Sequence, residues 1–329
     1  MKRPIMQILL FAFLIIVVVY FGLTSYYSGA NESNSLILKS NSFGMGNTVS
    51  PERNCEDLSI LTWNIWFGSR QGWDEPDTRW TELLNIALDK LPDIIGFQEC
   101  TQAFIKLVDS HFSFKEQYHA VSEVQTDSSY FVMVFSRKGL PILKSSTILL
   151  KTTLGRKCQY IDIKKNGSVF RFGTVHIESY VTSPNIREIQ MQTIFKVFEK
   201  QTSAELSFLV GDFNFHETDK ENKFIEESNF TDTWPVVNKD DKGLTFETQT
   251  NLMAKHSVLI GEAITSPVLQ RLDRILYWQR KSSKRWAPGG CELLGTLSFK
   301  DVLLNDGTKV PLFPSDHFGL FSKFKNCEI

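Results

Sequence analysis

The chain has 329 residues, 42% of them hydrophobic, and a formal net charge of −1. That apolar mass is enough to bury a large core in one or two domains. Near-zero charge removes any global basic signature and argues against strong non-specific duplex binding, although a local basic groove remains compatible with it.

In chain order, Ile8 to Leu23 is an unbroken apolar run preceded by Lys2 and Arg3. With Ile5 and Met6 it approaches the length of a membrane span. The preceding positive charges predict a single-pass signal anchor with the following domain lumenal or extracellular. Small residues at Ser28-Gly29-Ala30 keep a cleaved signal peptide and a secreted protein as the alternative, and a nuclear location requires that the segment is not used. Three N-glycosylation patterns, at Asn31, Asn166 and Asn229, agree with lumenal exposure. Residues 1–30 are thus read as anchor or signal, 31–57 as a Ser/Asn/Gly-rich flexible linker, and 58–325 as the catalytic domain.

Apolar, β-branched runs predict strands near 59–66, 93–98, 130–136, 158–163, 168–177, 207–212, 272–278 and 316–324. Helical periodicity predicts helices near 77–90, 101–109 and 185–200, the first capped by Asp77-Thr78. Lys165-Asn166-Gly167 between two of the strands is a hairpin signal. No internal repeat interrupts this alternation.

Polar islands stand at the carboxyl ends of several strands: Asn64, Glu99, His176 with Glu178, and Asp212 with Asn214. Asp316-His317 opens the last strand, a costly place for an Asp and His unless they meet a ligand there. Side chains at strand ends are well placed to converge on one cleft. Asn, Glu and Asp oxygens without a Cys/His cluster at zinc spacing suit Mg²⁺, or Mn²⁺. No Gly-x-Ser-x-Gly elbow supports a triad hydrolase.

At these residues the chain resembles the endonuclease/exonuclease/phosphatase superfamily, the deoxyribonuclease I-like fold, over about residues 58 to 325. Within it, His176-Ile177-Glu178-Ser179 is similar to the His-Leu-Glu-Ser motif of tyrosyl-DNA phosphodiesterase 2. Thr62-Trp63-Asn64, Gln98-Glu99, Gly211-Asp212-Phe213-Asn214, Arg271-Leu272-Asp273-Arg274 and Ser315-Asp316-His317-Phe318 have counterparts there, as does the loop Gly243 to Asn251. His216 stands where that family often carries Arg. The resemblance implies an α/β fold, a four-layer α/β sandwich with two packed, mostly antiparallel sheets flanked by helices.

The resemblance also implies a Mg²⁺-dependent, monomeric phosphodiesterase acting on a 5′-phosphotyrosyl bond to DNA. The alternatives are a membrane-bound or secreted nuclease, a sphingomyelin-type lipid phosphodiesterase, or a non-enzymatic binding module. Glu99 is expected to bind the metal, with Asn64 supporting both through its carboxamide oxygen and Asp316 shared between metal and His317. Asp212 is the expected general base, Asn214 and His176 phosphate donors, and His317 the group that stabilises transition-state charge. Asp273 is expected to orient His176, the alternative being an ion pair with Arg271 or Arg274. Ser179, His216, Asn251, Trp234 and Phe246 are expected on the substrate side. Trp66, Phe67, Trp234 and Phe246 are the aromatic residues available for stacking, with Phe246 preferred. In the superfamily the first and last strands lie antiparallel. Cys55 precedes Asn64 by nine residues and Cys327 follows His317 by ten, so that pairing brings the two cysteines together and predicts a disulfide in a lumenal domain, the alternative being two unrelated surface thiols.

Overall fold

The computed structural model describes residues 55–68, 74–122, 124, 128–199, 203–258, 266–281 and 286–327. The strands are β1 (Cys55–Asn64), β2 (Ile94–Cys100), β3 (Tyr118–Ala120), β4 (Phe131–Arg137), β5 (Ile142–Leu149), β6 (Lys157–Lys165), β7 (Ser168–His176) and β8 (Leu206–Asp212). Then follow β9 (Thr231–Asp232), β10 (Phe246–Glu247), β11 (Leu269–Gln270), β12 (Asp273–Gln279), β13 (Ala287–Leu294), β14 (Lys300–Leu303), β15 (Lys309–Leu312) and β16 (Gly319–Cys327).

Two six-stranded sheets carry the architecture, in the orders β13-β16-β1-β2-β4-β3 and β5-β6-β7-β8-β12-β9. Each is antiparallel except for one central pair, β1 with β2 and β7 with β8. A parallel pair needs a crossover, and helices Pro76–Lys90 and Pro184–Glu199 supply the two. The facing sheets share a core that includes Ile60, Ile94, Phe172, Phe208, Val210 and Phe324. Leu61, Phe97 and Met133 pack outward on Trp80, Leu83 and Phe104 of the helices covering the first sheet. Val175 and Leu209 pack outward on Met191, Ile194 and Phe198 of the helix covering the second. The result is the expected four layers.

This topology gathers the site. The four parallel strands end at Asn64, Cys100, His176 and Asp212, and the antiparallel neighbours begin where these end. Asp273 at the start of β12 pairs in register with Asp212, as does His176. Gly211, at φ 134°, is required there: a Cβ would lie 2.0 Å from the Val175 carbonyl oxygen. At Gly96 a Cβ would lie 2.7 Å from Thr174 Oγ1, so the sheets approach closely. Gln98 bridges them there, its Nε2 donating to Thr62 Oγ1 at 2.9 Å and Thr174 Oγ1 at 2.8 Å.

The expected strands and helices are all present, with local differences. The helix expected at 77 starts at Pro76, whose missing N–H costs nothing in a first turn, and Glu75 caps it without a side-chain hydrogen bond. Asn166 and Gly167, at φ 51° and 86°, form the hairpin turn between β6 and β7. β1 begins at Cys55, inside the segment read as linker. Cys55 is disulfide-bonded and its partner in the β1–β16 register is Cys327. Cys100, Cys158 and Cys291 are free and buried.

One expectation is corrected. No helix among the described residues is long and apolar enough to cross a membrane, so a membrane-anchored location is not supported. The apolar run 8–23 on which that reading rested lies outside the described residues.

Candidate active site

Asp212 is the hub. Its Oδ2 accepts from Asn64 Nδ2 at 3.0 Å, and lies 3.4 Å from His176 Nε2 and 3.8 Å from His317 Nε2. Its Oδ1 accepts from the Asn214 amide at 2.9 Å. Burial pushes this carboxyl up, but His176, His317 and these donors outweigh it and hold its pKa below the ordinary aspartate value. Asp212 is therefore an anion among donors.

The two histidines differ in charge, His317 being cationic and His176 neutral. Burial alone would push His317 down, yet Asp273, Asp316 and Asp212 raise it well above the usual imidazole range. Its Nδ1 donates to Asp273 Oδ2 at 2.7 Å, leaving Nε2–H free to face the cleft. Asp273 is held in turn by the Thr245 hydroxyl, which accepts its amide at 3.0 Å. The loop before β16 is fixed from several sides: Trp63 Nε1 donates to the His317 carbonyl at 2.8 Å, and Ser315 Oγ to the Asn64 carbonyl at 2.6 Å. His176, by contrast, is pushed well down by burial and by Arg156. Arg156 Nη1 donates to His176 Nδ1 at 3.1 Å, which fixes the neutral tautomer with its proton on Nε2, toward Asp212.

Glu99 sits at a bulge in the β2–β4 pairing, with φ 60°. Asn214 and Trp66, both at φ 52°, share that left-handed conformation, so three non-glycine residues around the cleft hold a strained backbone. Glu99 Oε1 accepts from Asn64 Nδ2 at 3.3 Å and Oε2 from the Phe67 amide at 3.2 Å. Burial and the like charge of Asp316 raise its pKa to about 7. Asp316 is also raised, by burial first. Two all-oxygen side chains that repel each other fit a hard divalent cation. Asp212, Asp273 and His317 also place ligand atoms within 4.8 Å of one another. There, His317 and Asp273 already satisfy each other through a charged hydrogen bond.

Several expected roles change. Asp273 orients His317, not His176. Its neighbours Arg271 and Arg274 bind Asp232 instead, at 2.5 and 2.9 Å. The register of β12 against β8, invisible in sequence, decides this. Asn64 faces Glu99 through its amide nitrogen, while its oxygen accepts the Trp66 amide at 3.0 Å. Asn214 Nδ2 is engaged with the Ile177 carbonyl at 2.9 Å, bracing the turn that carries Asp212. Glu178 binds Thr152, Thr153 and Gln190 and holds a loop. Trp234 is buried in the inter-sheet core, with its indole N–H on the Asp241 carbonyl. His216 accepts the Arg271 amide through Nδ1 at 2.9 Å. Asn251 ties the Ser315 carbonyl to a helix start. Phe246 is buried with its ring centroid 5.0 Å from that of His317, so it packs on the imidazole. Ser179 accepts from Arg156 Nη2 at 2.8 Å.

Arg156 itself was missed. It lies in Thr153-Leu154-Gly155-Arg156-Lys157, a loop with no apolar run to mark it, and it is buried beside His176.

A family model described as Endonuclease/Exonuclease/phosphatase family matches residues 61–317. No curated protein matches the chain. Among solved structures, D. rerio TDP2 complexed with single-strand DNA product is similar at 22% identity and TM-score 0.65, covering 82% of this chain and 98% of that one. C. elegans TDP2 is similar at 19% identity and TM-score 0.60, covering 82% and 75%. A mannosyl-6-phosphatase of Bacteroides thetaiotaomicron is similar at 18% identity and TM-score 0.60, covering 81% and 99%. The match to most of the chain, over two sheets whose strand ends converge on one polar cleft, places this protein in the endonuclease/exonuclease/phosphatase family, whose members are hydrolases of phosphoester bonds.

Proposed function

We propose that the chain is a Mg²⁺-dependent phosphodiesterase that hydrolyses a 5′-phosphotyrosyl-DNA bond or a related phosphodiester. The carrying observation is the pair of buried histidines next to ionised Asp212, one protonated and one neutral. Such a split keeps a cationic donor and a neutral donor beside one carboxylate base at a single pH. The motifs shared with tyrosyl-DNA phosphodiesterase 2 and the fold of a TDP2 complexed with a DNA product support the substrate class.

A divalent cation on Glu99 and Asp316 would neutralise charge on the phosphoryl oxygens. Asp212 accepts the proton of the water that attacks phosphorus, the P–O bond to the tyrosyl oxygen breaks, and the phenolate leaves to take a proton from solvent. Asn64 holds the Asp212 carboxylate between that water and Glu99. His317, kept protonated by Asp273, donates Nε2–H to a non-bridging oxygen as charge builds there. Neutral His176 donates its Nε2–H on the same side, and Arg156 behind it adds fixed positive charge. Asn214 and Asn251 act indirectly, by fixing the turns that carry Asp212 and Ser315.

The test is steady-state hydrolysis of a 5′-tyrosyl oligonucleotide, plain single-stranded DNA and sphingomyelin, each with Mg²⁺ or with chelator. Mg²⁺-dependent release of tyrosine with the highest kcat/KM is expected. Preference for either other substrate would overturn the substrate assignment, and chelator-resistant turnover the metal.

A further inference from the structure

Three planar groups stack beside the cleft. The Arg156 guanidinium carbon lies 5.1 Å from the Tyr130 ring centroid. The Tyr130 ring lies 4.5 Å from that of Phe67 and only 12° from parallel. Both partners of Tyr130 are anchored to the site. Arg156 is held by His176 and Ser179, and the Phe67 amide donates to Glu99. The stack therefore runs from the phosphate side of the cleft, through guanidinium and phenol, to a phenyl ring beside a carboxylate suited to metal.

That last ring stays open. Phe67 is 40% exposed although Tyr130 backs one of its faces. Phe246, Trp234 and Trp66 are all buried. A phenyl ring left in water at the end of a rigid stack gains most from a flat apolar partner, because stacking and burial add. The next loop presents a second exposed ring, Tyr180, directly after the Ser179 that binds Arg156. Its backbone is at φ 68°, and its carbonyl is held by Arg187 Nη1 at 2.7 Å. Arg187 is fixed in turn by buried Glu221, so this rim is rigid too.

We propose that Phe67 is a stacking platform for a planar ring of the substrate beside the scissile phosphate, and that it makes the enzyme selective for ring-bearing phosphodiesters. The inference rests on the phosphodiesterase reading above. The ring is either the 5′ nucleobase or the aromatic ring of the leaving group, since both present the same flat π face.

Four esters separate these sources: thymidine 5′-phosphate and abasic deoxyribose 5′-phosphate, each as its p-nitrophenyl and its trifluoroethyl diester. They are assayed with Mg²⁺ against wild type, Phe67→Ala and Phe67→Trp. Phe67→Ala is expected to lose about tenfold or more in kcat/KM, equivalent to 1.4 kcal/mol, on the esters that carry the stacked ring. It should lose less than about twofold on the abasic trifluoroethyl ester, since the main-chain amide to Glu99 is retained. Phe67→Trp should restore the lost rate. Loss on the thymidine trifluoroethyl ester alone of the two single-ring esters identifies the nucleobase, and loss on the abasic p-nitrophenyl ester alone the leaving group. Equal losses on all four, or none on any ring-bearing ester, would overturn the platform while leaving the phosphodiesterase reading intact. A wild-type protein that turns over none of the four would overturn both.

Discussion

Replacing Asp273 with Asn isolates the central electrostatic device. Asp273 and His317 share a 2.7 Å hydrogen bond with both side chains buried. Removing one partner of a buried charged pair costs about 3–5 kcal/mol when the other charge must persist. The imidazolium can avoid that cost by giving up its proton. Asp316 and Asp212, at 4.0 and 3.8 Å, support it only at longer range. His317 should therefore deprotonate at lower pH in Asp273→Asn. Because the imidazolium brings its positive charge as well as its Nε2–H to the phosphate, the alkaline limb of the pH–rate profile should move toward neutrality, and any acid limb should move little. At pH 8 the rate should fall by about 10²-fold or more, the range for losing one preorganised donor. Stability follows the same linkage. A histidine raised on folding contributes stability that is fully present below its unfolded pKa of about 6.5 and is lost as pH rises through the folded value. The variant should therefore be destabilised most in mildly acidic buffer and converge on wild type at high pH. Stopped assays from pH 5 to 10 and thermal melts at both extremes check this. A wild-type alkaline limb in Asp273→Asn would refute the assignment of Asp273 to His317.

Three further outcomes are expected. Mg²⁺ at about a hundredfold its Kd should stabilise wild type by about 2.7 kcal/mol in denaturant melts, and Glu99→Ala should lose both this gain and turnover; an undiminished gain would move the metal to another ligand set. Arg156→Ala should raise KM and lower kcat together, by about 1.5–3 kcal/mol in kcat/KM, because a guanidinium hydrogen-bonded to two cleft side chains is lost; unchanged kinetics would show it is only scaffolding. Cys55→Ser should cost about 2–4 kcal/mol by releasing the disulfide at the start of β1, read by chemical denaturation against wild type with and without reductant; equal midpoints throughout would contradict it.

Much of the site was legible because its central strands are parallel and buried on both faces. In such strands nearly every residue is apolar, so Asn64, Glu99, His176 and Asp212 stood out at their ends. Outer strands hid for the converse reason. β5 and β13 are at sheet edges, are mostly exposed or half-buried, and were not among the expected strands. Partnerships across strands were not legible either. Whether Asp273 meets His176 or His317 depends on a register set by the whole sheet. Arg156 and Tyr130 lie in or beside loops and become informative only when the stack through Phe67 is seen in three dimensions. Burial separates the aromatic residues that sequence could only group together: Trp234 belongs to the core, Phe246 to the packing of His317, and Phe67 to the open face.

Hydrolysis of a 5′-tyrosyl oligonucleotide in ¹⁸O-water, with and without Mg²⁺, tests the central claim most directly. Water activated at Asp212 and delivered to phosphorus should place the label in the 5′-phosphate and leave the released tyrosine unlabelled. The label should require Mg²⁺ and disappear in Asp212→Ala and Glu99→Ala. Label in the tyrosine, or labelled phosphate formed at the wild-type rate by either variant, would contradict it.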